Sequence, residues 1–140
     1  MQLDNTGVDM AEIFSQEWLD KFKEKWNADP ELGGALEQIG FSSVIGYGFD
    51  GEDTPRAVLV VNDGKVVSAG PYEGEELNWD LRATPEQWQQ WVSKPPGLMA
   101  IGLAYTSRKL RFKVGDYAAM VKDPRMAGPF VRSFALMSQI

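Results

Sequence analysis

Residues 79–114 read WDLRATPEQWQQWVSKPPGLMAIGLAYTSRKLRFKV. The stretch opens like a strand, with Trp79 and Leu81 on one side of an alternation. Thr84-Pro85-Glu86-Gln87 is a complete helix start. Thr84 caps, Pro85 takes the first helical position, and Gln87 is placed to reach back to the cap. Trp88, Trp91 and Val92 lie three and four apart on one face, and Pro95-Pro96 ends the helix. Residues 97–106, GLMAIGLAYT, are apolar nearly all round, and such a segment is usually buried. It falls well short of the roughly 20 residues a membrane-spanning helix needs. Leu110, Phe112 and Val114 then alternate with Arg111 and Lys113, the clearest period-two strand in the chain. A strand, an amphipathic helix, an apolar segment and another strand mean that helices cross a sheet and turn their apolar faces toward it.

Upstream, residues 1–8 read as a loose leader, and Asp9 with Glu12 makes an N-terminal capping pattern. Met10, Phe14, Trp18, Phe22 and Trp26 recur every four residues, which predicts a helix from about Val8 to about Asn27. Asp29-Pro30 starts a second, short helix that turns Leu32, Leu36 and Ile39 inward and stops at Gly40. Phe41–Phe49 is a strand in which Gly46 and Gly48 mark a bulge or a sharp twist. Ala57–Val61 and Lys65–Ala69 flank Asn62-Asp63-Gly64, a tight-hairpin signal because type I′ turns need positive φ. Gly70-Pro71 ends the third strand and Leu77–Ala83 forms the fourth. Short turns separate these strands, so an antiparallel meander is the simplest topology.

Downstream, Gly115-Asp116 leads into a helix beginning near Tyr117. Asp123-Pro124 and Gly128-Pro129 then break the chain twice, before a last helix carrying Phe130, Phe134, Leu136 and Met137. The sum is one α+β domain over residues 1–140. About five strands form a mostly antiparallel sheet, with helices packed on one face.

Composition narrows the chemistry. The sequence has no Cys and no His. That removes disulfides, thiol nucleophiles, imidazole bases and zinc sites built on either residue. A carboxylate site for magnesium or calcium stays open, although no D-x-D-x-D-G calcium loop occurs. There is no G-x-S-x-G elbow, no phosphate-cradling loop and no dinucleotide fingerprint; Gly46-Tyr47-Gly48 is too short for the last. Asp80 and Arg82 share a strand face, which favours an ion pair over catalysis. The net charge of −6 argues against nucleic-acid binding. Residues 1–80 hold seventeen acidic and five basic side chains, residues 81–140 three and nine. Either the two halves neutralise each other, or the basic half meets anionic headgroups or phosphates. With neither a secretory signal nor a membrane-spanning run, cytoplasmic location is the default expectation, with peripheral membrane contact at most.

The element order, the capped helix Thr84–Val92 with its apolar successor, and Lys109-Leu110-Arg111-Phe112-Lys113-Val114-Gly115-Asp116 together resemble the sterol carrier protein type 2 family. The last of these is similar to the family's penultimate K-L-x-φ-x-G-D strand and turn, where φ is apolar. The clear likeness covers about residues 79–116. Arg108 stands where the family often has Gly, the segment Lys122–Pro129 looks longer than usual, and the peroxisomal address of some members is missing. The resemblance implies a five-stranded sheet backed by helices, with an apolar tunnel between them for sterols, fatty acids or acyl chains; the departures make fatty-acyl or similar chains the expected ligand rather than a sterol.

The residues expected to line that tunnel are Trp88, Trp91, Leu98, Met99, Ile101 and Leu103, together with Phe112, Met120, Phe130, Phe134 and Met137. The expected site lies between residues 88–105 and the inward side of Leu110, Phe112 and Val114, with the C-terminal helix of Phe130–Met137 closing an end. Methionine reshapes easily and suits promiscuous apolar surfaces. Ten to twelve buried methylenes would contribute roughly 8–10 kcal/mol gross. The expectation is a binding or carrier domain without chemistry or cofactor of its own. The alternatives are an accessory subunit that presents an apolar substrate to a partner enzyme, and an enzyme using Asp80, Asp116 or Glu86.

Overall fold

The computed structural model describes residues 12–140. The leader 1–8, the Asp9 cap and Met10 lie outside the described residues. Helix α1 is Gln16–Ala28, and Ser15 caps it by accepting the Trp18 N–H at 3.3 Å. Residues 12–15 are therefore not part of the helix expected from about Val8, and Phe14 has a φ of 66°. Phe14 still belongs to the core, edge-on to Trp18 at 5.5 Å and to Trp88 at 5.3 Å. Trp18, Leu19, Phe22 and Trp26 form the buried face of α1, as the four-residue spacing predicts. A single π-helical turn, Pro30–Gly34, runs into the short α2, Ala35–Gln38. Leu32 and Leu36 point inward, and Gly40 leaves the helix at a φ of 63°.

The five strands are β1 (Ser43–Phe49), β2 (Ala57–Asn62), β3 (Lys65–Pro71), β4 (Trp79–Ala83) and β5 (Arg111–Val114). They lie in the order β3-β2-β1-β4-β5. The β2–β3 hairpin turns on Asp63 and Gly64, with φ of 48° and 83°, as the Asn-Asp-Gly signal predicts. The simple meander does not hold. Strand β4 pairs parallel to β1, with Ile45 opposite Trp79 and Phe49 opposite Ala83. The loop after β3 carries the chain back past β1, and Asn78 pins it there. Asn78 Oδ1 accepts the Val44 N–H at 2.8 Å, and its own N–H donates to the Val44 carbonyl at 2.9 Å.

The glycines of β1 are also not bulges, since its registers with β2 and β4 run without a shift. They permit close approach of another segment. A Cβ on Gly48 would stand 2.8 Å from Pro55 Cα and 3.1 Å from Arg82 Nε; one on Gly46 would press on Leu77 and Pro55 at 3.2 Å. The loop containing Pro55 thus covers one sheet face, and beneath it Val58, Asp80 and Arg82 are buried. Arg82 Nε and Nη2 donate to the two Asp80 carboxylate oxygens at 2.7 and 3.0 Å. Arg82 Nη1 donates to the Glu52 carbonyl at 2.6 Å and the Phe49 carbonyl at 3.3 Å.

The opposite face carries the main core. Helix α3 (Pro85–Ser93) starts at Thr84, whose Oγ1 accepts the Gln87 N–H at 3.1 Å. The Gln87 side chain bonds Gln90 instead of reaching back to the cap. Helix α4 (Leu98–Thr106) follows. It departs from the buried segment expected: only Ile101 and Ala104 are buried. After β5 come α5 (Tyr117–Val121), capped by Asp116, and α6 (Pro124–Met137). Gly128-Pro129 does not break α6. Pro129 sits buried inside the helix, where its missing N–H costs one backbone bond that packing offsets. Strand β5 has a register shift against β4: Phe112 pairs with Leu81 and Val114 with Asp80. The extra residue puts Val114 on the face away from Leu81, so Val114 is exposed rather than inward.

Candidate functional site: an apolar cavity between sheet and helices

One sheet face and the helices above it enclose a cavity of about 60 Å³. Its floor is Ile45 and Tyr47 of β1, Trp79 and Leu81 of β4, and Phe112 of β5. Strand pairing explains the grouping. Ile45 faces Trp79, and Tyr47, Leu81 and Phe112 stand in cross-strand register, so period-two alternation puts all five on one side. Trp26 of α1, Leu32, Leu36 and Phe41 form one wall; Met120 of α5 and Met126, Pro129, Phe130 and Ser133 of α6 form the other. Phe41, Trp79, Phe112, Met126 and Phe130 are partly exposed and mark the open side.

The lining is apolar apart from two hydroxyls and the Trp indole N–H groups. The indole of Trp26 donates to the Gly64 carbonyl at 2.9 Å, and that of Trp79 to Ser43 Oγ at 3.2 Å. The Ser133 hydroxyl donates to the Phe130 carbonyl at 2.6 Å. The Tyr47 hydroxyl has no hydrogen-bond partner among the described residues, and burial pushes its pKa up. No group of three or more carboxylates among the described residues is placed to hold a metal ion.

Of the residues expected from the sequence to line a tunnel, Phe112, Met120 and Phe130 line this cavity. Trp88, Trp91, Ile101, Phe134 and Met137 are buried in the solid core beside it. Trp88 is the centre of that core. Its Nε1 donates to the Gly48 carbonyl at 2.9 Å, its ring stacks on Phe134 at 6.3 Å, and Trp91 meets it edge-on at 5.3 Å. Leu98, Met99 and Leu103 are exposed and lie outside the cavity. The cavity therefore sits under α6 and α2, not under α3 and α4 where residues 88–105 would put it. The lining residues not expected were mostly legible as core, such as Trp26, Leu32 and Leu36. Their grouping around a void follows from the parallel β1–β4 pairing, for which no local signal exists. Asp80, Asp116 and Glu86 do not line the cavity. Asp80 is held by Arg82 on the other sheet face, and Asp116 caps α5.

A five-stranded mixed sheet in this order, helices over one face and an apolar void between them define the architecture. The fold is that of sterol carrier protein 2. The crystal structure of a sterol carrier protein 2 superposes with a TM-score of 0.73 at 18% identity, covering 92% of this chain and 99% of that one. The solution structure of a conserved hypothetical protein from Thermus thermophilus, described as possibly a sterol carrier protein, matches with a TM-score of 0.67 at 18% identity, over 95% and 92% of the two chains. UbiJ-SCP2, a ubiquinone synthesis protein, matches with a TM-score of 0.59 at 12% identity, over 96% and 98%. No protein-family model and no curated protein matches the sequence. Among the described residues no helix is long and apolar enough to cross a membrane.

Proposed function

We propose that the chain is a non-catalytic binding or carrier domain for an apolar chain ligand, fatty-acyl or similar, held between the sheet and α6. The single observation that carries this reading is the apolar cavity itself, walled on its open side by Met126, Phe130 and Phe112. At about 60 Å³ it is well below the roughly 300–1,000 Å³ of pockets that enclose drug-sized ligands. Loading therefore needs α5 and α6 to move outward. Unbranched methionine side chains at 120 and 126 make that wall the adaptable one. Part of the gross gain from burying methylenes is then spent on opening.

The test is lipid extraction from the native protein with mass spectrometry, paired with uptake of a fluorescent fatty acid. Near-stoichiometric lipid, or saturable uptake by stripped protein, is expected. Met126→Trp fills the open side and should cut uptake while leaving stability nearly unchanged, because the site is partly exposed. A protein that is empty as isolated and takes up nothing would sink the reading. The likeness to a ubiquinone synthesis protein favours a second reading, in which the domain presents an apolar substrate to a partner enzyme. Co-purification of such an enzyme, with little independent lipid affinity, distinguishes it.

A further inference from the structure

We propose that the exposed face of α4 is a docking surface for an anionic lipid membrane. Apart from Gly102 and Thr106, every residue of Leu98–Thr106 is an apolar or aromatic one, yet only Ile101 and Ala104 are buried. Met99 is 82% exposed, Leu103 65% and Leu98 47%. At about 100° per residue, Leu98, Gly102, Thr106, Met99 and Leu103 fall on one continuous arc opposite the buried pair. Helices α1 and α3 turn polar side chains to water in the usual way, whereas α4 has none to turn beyond Thr106. A contiguous exposed apolar strip of this kind marks an interaction surface.

Charge identifies what the strip meets. From Gln87 to Gly115 there is no Asp or Glu. Lys94, Arg108, Lys109, Arg111 and Lys113 occur in the same interval, and all are exposed. Lys94 stands just before one end of α4, and Arg108 and Lys109 leave the other. Among the described residues these three make no ion pair, whereas Arg111 lies 3.5 Å from Asp50. An apolar strip between cations matches an anionic bilayer, which takes the apolar side chains into its headgroup boundary and the cations at its surface. A second copy fits poorly, because α4 against α4 would set cations against cations. The only large exposed apolar residue on the acidic half, among the described residues, is Val67.

The docking face also adjoins the cavity. Tyr105 of α4 stacks on Tyr117 at 4.1 Å and meets Phe112 edge-on at 6.0 Å. Phe112 lies 6.1 Å from Phe130, and both are on the open side of the cavity. A membrane held by α4 would thus lie beside that opening. This last step rests on the carrier reading; the docking itself does not.

Co-sedimentation of the full chain with two kinds of vesicle tests the surface, one of phosphatidylcholine alone and one with phosphatidylglycerol mixed in. The wild type should bind the anionic vesicles, and binding should fall as salt rises. Met99→Glu/Leu103→Glu should lose about tenfold or more in affinity. Lys94→Ala/Arg108→Ala/Lys109→Ala should lose binding to the anionic vesicles. Met99→Ser, at the most exposed position, gives a second variant with no folding risk and should bind measurably less. Unchanged binding by Met99→Glu/Leu103→Glu overturns the proposal, as does no binding of the wild type to either vesicle. A wild-type dimer that this double variant converts to monomer also overturns it, in favour of a second copy. Fatty-acid uptake from solution reads the cavity separately. A wild type that docks on vesicles but takes up nothing overturns the carrier reading and upholds the docking surface.

Discussion

Arg82 is among the largest fully buried side chains, 1% exposed, and Asp80 beside it is 4% exposed. Two charges out of water cost more than they return unless they are paired in good geometry with further hydrogen bonds. Here four hydrogen bonds engage both Asp80 oxygens and all three guanidinium nitrogens, through the bidentate pair and the carbonyls of Phe49 and Glu52. Arg82→Met strands the Asp80 carboxylate and frees two carbonyls, and should cost about 3–5 kcal/mol in urea unfolding. Asp80→Val/Arg82→Met removes both charges and should recover most of that loss; a double variant no better than the single one would refute the pair's role. Tyr47 presents the reverse case. Its hydroxyl is buried without a partner among the described residues, so Tyr47→Phe should leave stability unchanged or raise it by about 1 kcal/mol. If the hydroxyl serves a ligand's polar end, the same variant binds a fatty acid more weakly while unfolding at higher urea. A clear loss of stability would show that the hydroxyl is already satisfied.

At the scale of elements, Gly48 decides whether the Pro55 loop can lie on the sheet. Gly48→Ala drives a methyl into Pro55 Cα at 2.8 Å, and backbone there cannot yield cheaply. The variant should lose roughly 1–3 kcal/mol and expose the buried ion pair, read as faster amide exchange in residues 50–56. A neutral Gly48→Ala would mean that the loop is only loosely seated. The same position shows what a sequence can and cannot disclose. That Gly48 matters is visible in the chain, but whether it marks a bulge or an approach depends on a loop whose path is set by tertiary contact. Local chemistry was legible wherever a motif has one physical outcome. Asp63-Gly64 turns the hairpin through positive φ, and Thr84-Pro85 starts α3. What competes with a local rule was not legible. Pro129 stays inside α6 because its ring is buried in the cavity wall, and α4 stays apolar on its exposed side. Register across non-neighbouring strands leaves no local trace either. The parallel β1–β4 pair is held by Asn78 and Trp79 side chains that read as ordinary strand flanks.

For the molecule as a whole, the question is what holds α6 down over the cavity. Apolar packing does most of it, and beside the cavity Arg132 adds polar links to Asp29 and, at 3.7 Å, to Glu31. Arg132 of α6 donates through Nε and Nη2 to the two Asp29 carboxylate oxygens at 3.0 and 2.8 Å. Asp29 also accepts the Leu32 and Gly34 N–H groups on its backbone carbonyl, so it anchors the turn that carries Leu32. The link therefore ties the wall of Leu32 and Leu36 to the wall of Pro129 and Phe130. The Arg132 guanidinium holds the Asp29 carboxyl below its usual pKa, with help from the Glu31 and Leu32 N–H groups, although burial opposes this. Because the folded value is depressed, the stabilisation is present above the ordinary value of about 3.9 and fades as pH falls through the lowered one. A bidentate pair near the surface contributes about 1 kcal/mol. Asp29→Asn should thus lower stability by about that much at neutral pH and flatten the decline between roughly pH 4 and the lowered value, measured by urea unfolding across that range. On the carrier reading, in which α6 lifts for a chain to enter, it should also speed fatty-acid uptake in stopped flow. An acid profile parallel to the wild type would refute the linkage. Unchanged uptake with reduced stability would mean that the cavity opens elsewhere than at α6.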